Sequence, residues 1–189
     1  MHAPLLTALL LLLPAVSYSA CAMEAEQIQS EFGDKQFRCE LVAVLNAPAA
    51  AVEAVLRDYD AYPELDRRIL EARVIERPSE TTAMLETTLR ACFGPFCRRV
   101  RRVEAVEEAP NTLTAVADPE RSDVRFGETH TVIEQVNETQ TRVTYRTRLT
   151  PDFWIPAFGA RGWMLRTMEK ATITLFENVE ARAQALEGA

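Results

Sequence analysis

Between Ile69 and Thr150 the chain presents six strand-like runs in succession, with turn signals and no helix between them. The runs are Ile69 to Glu76, Thr82 to Cys92, Phe96 to Val106, Thr112 to Ala117, Val124 to Val136 and Thr141 to Thr150. Strands joined without crossover helices pair antiparallel through hairpins. Pro151 and Pro156 end the series, and after Gly162 the apolar residues Met164, Leu165, Met168, Ala171, Leu175, Phe176 and Val179 recur at three and four residues. That spacing predicts one long amphipathic helix with a broad apolar face.

Ahead of this block, Phe37, Cys39, Leu41, Ala43 and Leu45 sit at alternate positions, the mark of a strand with one buried side. Asn46-Ala47-Pro48 opens a short amphipathic helix over AAAVEAVLRD, and DYDAYPEL holds a second helical turn at Pro63. The predicted fold is therefore α+β, in the order β-α-α-β-β-β-β-β-β-α. A curved seven-stranded antiparallel sheet grips the C-terminal helix, and the two short helices close one end. This domain is expected over residues 36–187, after a loose or weakly helical acidic lead-in over 23–35. A curved sheet wraps a helix incompletely, which leaves room for a cavity between them.

Residues 1–22 carry no Lys, Arg, Asp or Glu and include the run LLTALLLLL. They read as a secretory signal peptide, too short to span a bilayer. Ala20-Cys21-Ala22 fits the cleavage pattern, which makes the mature protein secreted or periplasmic and starts it at Met23. An alternative makes Cys21 a lipidated first residue, although Tyr18 stands where such sites favour leucine. Outside the cytoplasm disulfides persist, and Cys92 and Cys97 flank a four-residue turn, so a cross-strand disulfide is expected at that hairpin end. Cys39, on an alternating strand, reads as a small buried hydrophobe. A lone C-x4-C pair does not make a zinc site.

The formal net charge of −7 speaks against nucleic acid or an anionic membrane as the main partner. The segment Arg98-Arg99-Val100-Arg101-Arg102 is the densest positive run. On a strand, Arg98 and Arg102 point one way and Arg99 and Arg101 the other. One pair belongs on the solvated face, where Glu86 or Glu104 offsets it; the other reaches the pocket rim, where an arginine could hold a ligand carbonyl or carboxylate.

The element order, with LNAPAAAVEAVLRDYDAYPELDRRILEARVI, ETQTRVTYRTRLTPDFWIP and the closing helix, resembles the START-like (SRPBCC, helix-grip) superfamily. Within it the chain is most similar to the polyketide cyclase and coenzyme Q-binding branch. The resemblance covers roughly residues 36 to 185 and implies a cavity for a lipid, quinone, sterol or polyketide, with no cofactor. The leader departs from the mitochondrial quinone-binding members and from the ribosome-association toxin-like ones.

A last hairpin turning at Glu138 and Thr139 would set Val132 opposite Tyr145, His130 opposite Thr147 and Glu128 opposite Leu149. Val143, Tyr145 and Leu149 form the apolar face there, so Glu128 and His130 are expected to look inward with Tyr145. These three are the candidate acid–base groups; alternatively His130 is a core or rim histidine satisfied by a neighbour. Trp154, Ile155, Phe158, Trp163, Met164 and Met168 are expected at the mouth and floor of the pocket. The expected ligand contacts are thus Tyr145, His130, Trp154, Trp163, Met164 and Met168. No phosphate loop, metal-ligand cluster or G-x-S-x-G pattern is present in the sequence.

Three functional classes remain. The first is an exported binder of a hydrophobic small molecule, with transient membrane contact for ligand exchange. The second is a cyclase, aromatase or dehydratase acting on a polyketide-like substrate. The third is a protein-interaction module whose cavity has filled with side chains. The sequence leaves the oligomeric state open.

Overall fold

The computed structural model describes residues 23–93, 96–152 and 160–188. Eight strands form one antiparallel sheet in the order β1-β2-β8-β7-β6-β5-β4-β3. They are β1 (Glu24–Gly33), β2 (Gln36–Leu45), β3 (Ile69–Ser79), β4 (Thr82–Phe93), β5 (Phe96–Ala109), β6 (Thr112–Ala117), β7 (Val124–Asn137) and β8 (Gln140–Pro151). Helices α1 (Ala49–Arg57) and α2 (Tyr62–Leu65) follow β2, with a 3-10 turn at Tyr59–Ala61 between them, and α3 (Ala160–Glu187) closes the chain.

Seven strands were expected, and β1 is the eighth; it occupies the segment read as a loose lead-in. Two features hid it. Its inward positions are Ile28, Ser30 and Phe32, and the middle one is held by a hydrogen bond from Ser30 to Glu169 of α3, not by apolar packing. Its turn to β2 places Asp34 and Lys35 at φ 52° and 61°, a left-handed pair usually signalled by Asn-Gly. Phe32 stacks on Phe37 across that turn, ring centres 4.4 Å apart.

The main core joins α1, β2, β8 and the C-terminal half of α3. Val52 and Val55 of α1, Leu41 and Leu45 of β2, Val143 of β8 and Phe176, Val179 and Ala183 of α3 are almost wholly buried together. Pro48 starts α1, whose buried residues Ala51, Val52, Val55 and Leu56 line one stripe. Polar clamps fix the same half of α3. Glu180 accepts the Asn46 backbone N–H at 2.9 Å, and the Asn178 amide donates to the Leu65 carbonyl at 2.8 Å. The N-terminal half of α3 has no comparable burial, so the sheet grips the helix at one end and stands off it at the other.

Cys92 and Cys97 form the expected disulfide at the end of the β4–β5 hairpin. Cys39 is buried, with its sulfur 3.7 Å from the Thr172 hydroxyl, and burial raises its pKa. Non-reducing peptide mapping should return the Cys92–Cys97 link, and iodoacetamide at neutral pH should leave Cys39 unmodified until the protein is denatured. Free Cys92 and Cys97, or rapid labelling of Cys39 in the native state, would contradict this arrangement.

Candidate functional site

Where α3 stands off the sheet, two adjacent lobes open between helix and sheet. The inner lobe, about 210 Å³, lies among Tyr59, Tyr62 and Leu65 of the short helical segments, the inward faces of β4 to β8, and Ala171, Leu175 and Phe176 of α3. The outer lobe, about 230 Å³, runs between Phe37, Val100, Val124 and Leu149 of the sheet and Trp163, Met164 and Met168 of α3. Arg68, Leu89 and Arg102 border both lobes. Each lobe alone is smaller than the usual small-molecule site of about 300–1,000 Å³, so a ligand of that size would have to span both.

The lining is largely apolar; Asp66 and Arg68 form an ion pair at its border, and a more deeply buried polar group lies inside. On β5 the inward phase runs Val100, Arg102, Glu104, Val106, and Arg102 and Glu104 form an ion pair inside the cavity. Glu104 is 3% exposed. Arg102 gives Glu104 one Nη2 hydrogen bond, while its buried Nε has no partner among the described residues. Burial opposes the arginine's charge, but the field of Glu104 and its hydrogen bond outweigh that, so the guanidinium pKa lies above its ordinary value. Thr87 and Thr131 are buried beside the pair, and Tyr62 and Tyr145 complete the polar group.

Tyr145 packs edge-on against Phe176 at 5.3 Å between ring centres. Burial raises its phenol pKa, against the opposing effects of Arg102 and of a hydrogen bond with Thr147. The Tyr62 phenol is pushed up by burial first, and then by Tyr59, Glu104 and Tyr145; it donates to the Leu56 carbonyl at 2.7 Å. Both tyrosines are therefore neutral donors near neutral pH. An unpaired N–H on a fixed cation, beside a carboxylate acceptor, can bind a hydroxyl, carbonyl or carboxylate without drawing water into the cavity.

The expected triad of Glu128, His130 and Tyr145 is not brought together. At the tip of the last hairpin Asn137 faces Gln140, as a turn at Glu138 and Thr139 requires. An irregularity at Val136 then slips the register by one, so Tyr145 faces Thr131, His130 faces Arg146 and Glu128 faces Arg148. A single extra residue turns every side chain on one strand to the other face. Tyr145 stays inward, whereas Glu128 and His130 lie on the outer face, where Glu128 pairs with Arg148 and Glu40 with Arg146. That face carries a broad charged depression of about 710 Å³. Its arginines already hold carboxylates, and the wall against α3 is closed by the Ser30–Glu169 contact.

The other expected contacts divide in the same way. Tyr145 lines the inner lobe, and Trp163, Met164 and Met168 line the outer one; Trp154, Ile155, Phe158 and Cys21 lie outside the described residues. Tyr62 was not singled out, and Glu104, expected as a carboxylate offsetting an arginine pair on the solvated face, instead lies buried in the cavity paired with Arg102, because it shares the inward phase of β5. Two charged residues in the apolar phase of β5, between Val100 and Val106, are the signal that points to them. His130→Ala should leave the binding of any cavity ligand unchanged in a dye-displacement titration; a loss of tenfold or more would show that His130 reaches the cavity.

An eight-stranded antiparallel sheet wrapped on a C-terminal helix, with an internal cavity, is the START-like helix-grip fold. Solved structures agree. A START superfamily protein from Mycobacterium smegmatis superposes with a TM-score of 0.63 at 14% identity, over 79% of this chain and 98% of that one. The Zhui aromatase/cyclase from Streptomyces sp. R1128 gives 0.64 at 12% identity, over 79% and 94%. A STAR-related lipid transfer protein fragment from Xanthomonas axonopodis gives 0.59 at 14%, over 83% and 98%. No protein-family model and no curated protein matches the sequence.

Proposed function

We propose that this is an exported carrier of one hydrophobic small molecule, lipid- or quinone-like, held between sheet and α3 with its polar group on Arg102 and Glu104. The observation that carries the reading is the cavity itself: largely apolar in two lobes, with the buried Arg102–Glu104 pair in the inner one and the Arg102 Nε without a partner among the described residues. Buried polar atoms are rarely left unsatisfied, so an unpaired donor in a cavity calls for a ligand atom. The lipid transfer protein among the structural neighbours supports this use of the fold. The apolar leader and the Cys92–Cys97 disulfide support an exported site of action.

A cyclase or aromatase reading draws on the Streptomyces neighbour. In this chain it would have to run on Arg102, Glu104 and Tyr145, because Glu128 and His130 face away from the cavity. Lipophilic fluorescent probes separate the carrier from a filled interaction module. A fatty-acid-type probe should bind one per chain and lose at least tenfold in affinity on Arg102→Met, the usual scale for a charged hydrogen bond of about 1.5–3 kcal/mol. No probe uptake by wild type would contradict the carrier reading.

A further inference from the structure

Helix α3 carries two stripes side by side. Met164, Met168 and Leu175 turn an apolar stripe to the two lobes. The neighbouring stripe, Trp163, Arg166, Lys170 and Thr174, recurs at three and four residues and lines a separate shallow groove of about 390 Å³. Its opposite wall is Asp66 and Arg68, in the turn between α2 and β3. Groove and lobes share walls: Asp66, Arg68 and Ala171 also line the inner lobe, and Arg68, Trp163 and Thr167 also line the outer one. A single layer of side chains thus divides this groove from the apolar interior.

The charge of the groove runs against that of the chain. The protein carries a formal −7, and elsewhere on its surface arginines hold carboxylates, as Arg142 holds Glu26 and Arg146 holds Glu40. In the groove Arg68, Arg166 and Lys170 meet one carboxylate, Asp66, which Arg68 already grips through Nε and Nη2. Arg166 and Lys170 are exposed, and among the described residues neither takes part in a salt bridge. They stand one turn apart on the same side of α3, where like charges repel and weaken a helix. An anion between them would relieve that repulsion, and a guanidinium beside an ammonium suits a phosphate, sulfate or carboxylate. Trp163, 36% exposed, belongs to both groove and outer lobe, and an indole couples an apolar body with one N–H donor.

We propose that the cargo has a second polar end, an anionic group that lies outside the lobes in this groove, on Arg166 and Lys170, while its apolar body fills the lobes and its first polar group meets Arg102 and Glu104. The assignment rests on the carrier reading and narrows it to an amphiphile that is polar at both ends and anionic at the outer one. The outer position follows from desolvation. A second anion buried beside Glu104 would lose its water and face a carboxylate, whereas in the groove it stays hydrated and faces two cations.

Displacement of the neutral dye Nile red by matched chains tests it. The chains are dodecanoic acid, ω-phosphonododecanoic acid and the ω-trimethylammonio acid of the same length, so differences report the far end alone. The phosphonate should bind about tenfold tighter than dodecanoic acid, the scale of charge-assisted hydrogen bonds, and the ammonium compound more weakly than either. Salt at about 0.5 M should remove most of that gain, because it shortens the reach of the charges to a few ångströms. Arg166→Glu with Lys170→Glu should bring the phosphonate down to the affinity of dodecanoic acid, whereas Arg102→Met should weaken both acids. Arg166→Gln with Lys170→Gln is the milder pair if charge reversal disturbs the circular dichroism spectrum. A phosphonate gain that survives both groove pairs overturns the proposal. Inorganic phosphate that cancels the gain at equal concentration would make the groove a site for a free anion and overturns it too. Dodecanoic acid bound through Arg102 with no gain from the phosphonate overturns the proposal and leaves the carrier reading standing; failure to bind Nile red or any of the chains overturns both.

Discussion

Replacing Glu104 by Gln lowers stability by about 3 kcal/mol, whereas replacing Arg102 and Glu104 together by Met leaves stability within about 1 kcal/mol of wild type. The single change strands a cation in an apolar cavity, and breaking a buried pair from one side costs about 3–5 kcal/mol. The lower end applies because 20% of the Arg102 side chain still reaches solvent. The double change removes both desolvation penalties and restores apolar packing, which is often neutral. Chemical denaturation of the wild type and the two variants checks it, with a melting point roughly 6–12 °C lower for the single variant. The double variant should fold and yet lose preference for ligands that carry a carboxyl, carbonyl or hydroxyl. If it were as unstable as the single variant, the pair would be a structural device and no recognition site.

Phe176→Ala has the largest effect of any single apolar truncation proposed here, about 3–5 kcal/mol. Its ring is 1% exposed, joins α3 to the main core, and supports Tyr145 from the helix side. Met168→Ala, two turns earlier on α3, should cost only about 1 kcal/mol, because Met168 lines a lobe that is already open and loses little packing. The same substitution should change probe affinity more than it changes stability. Equal losses at both positions would mean that the helix is gripped along its whole length and that no cavity persists in solution.

The contrast between these two positions shows what a linear pattern carries and what it omits. Alternation on β2 and the three-four spacing on α3 are direct imprints of burial, so the helix, the short N-terminal helices and the order of the six central strands were legible. So was the disulfide, because Cys92 and Cys97 need only a hairpin between them. β1 was not legible, since Ser30 replaces apolar packing with a hydrogen bond and Asp34-Lys35 lacks the usual turn chemistry. The site failed at a single residue. Val136 interrupts the β7–β8 ladder, and nothing in Val-Asn-Glu-Thr-Gln announces it, so Glu128 and His130 turned outward while Tyr145 stayed. Arg102 and Glu104 were visible as charges in an apolar phase, yet a charge on a strand is ordinarily a solvated one. Only the neighbouring strands show that this phase faces the helix.

Native mass spectrometry of the protein purified without detergent from its own host tests the central claim most directly. The account predicts a population with a mass excess matching one small apolar molecule per chain. That excess should be recoverable in organic solvent and reduced when the Arg102→Met variant is purified in the same way. Protein that emerges at its bare polypeptide mass, and that takes up no lipophilic probe when one is added, would contradict it.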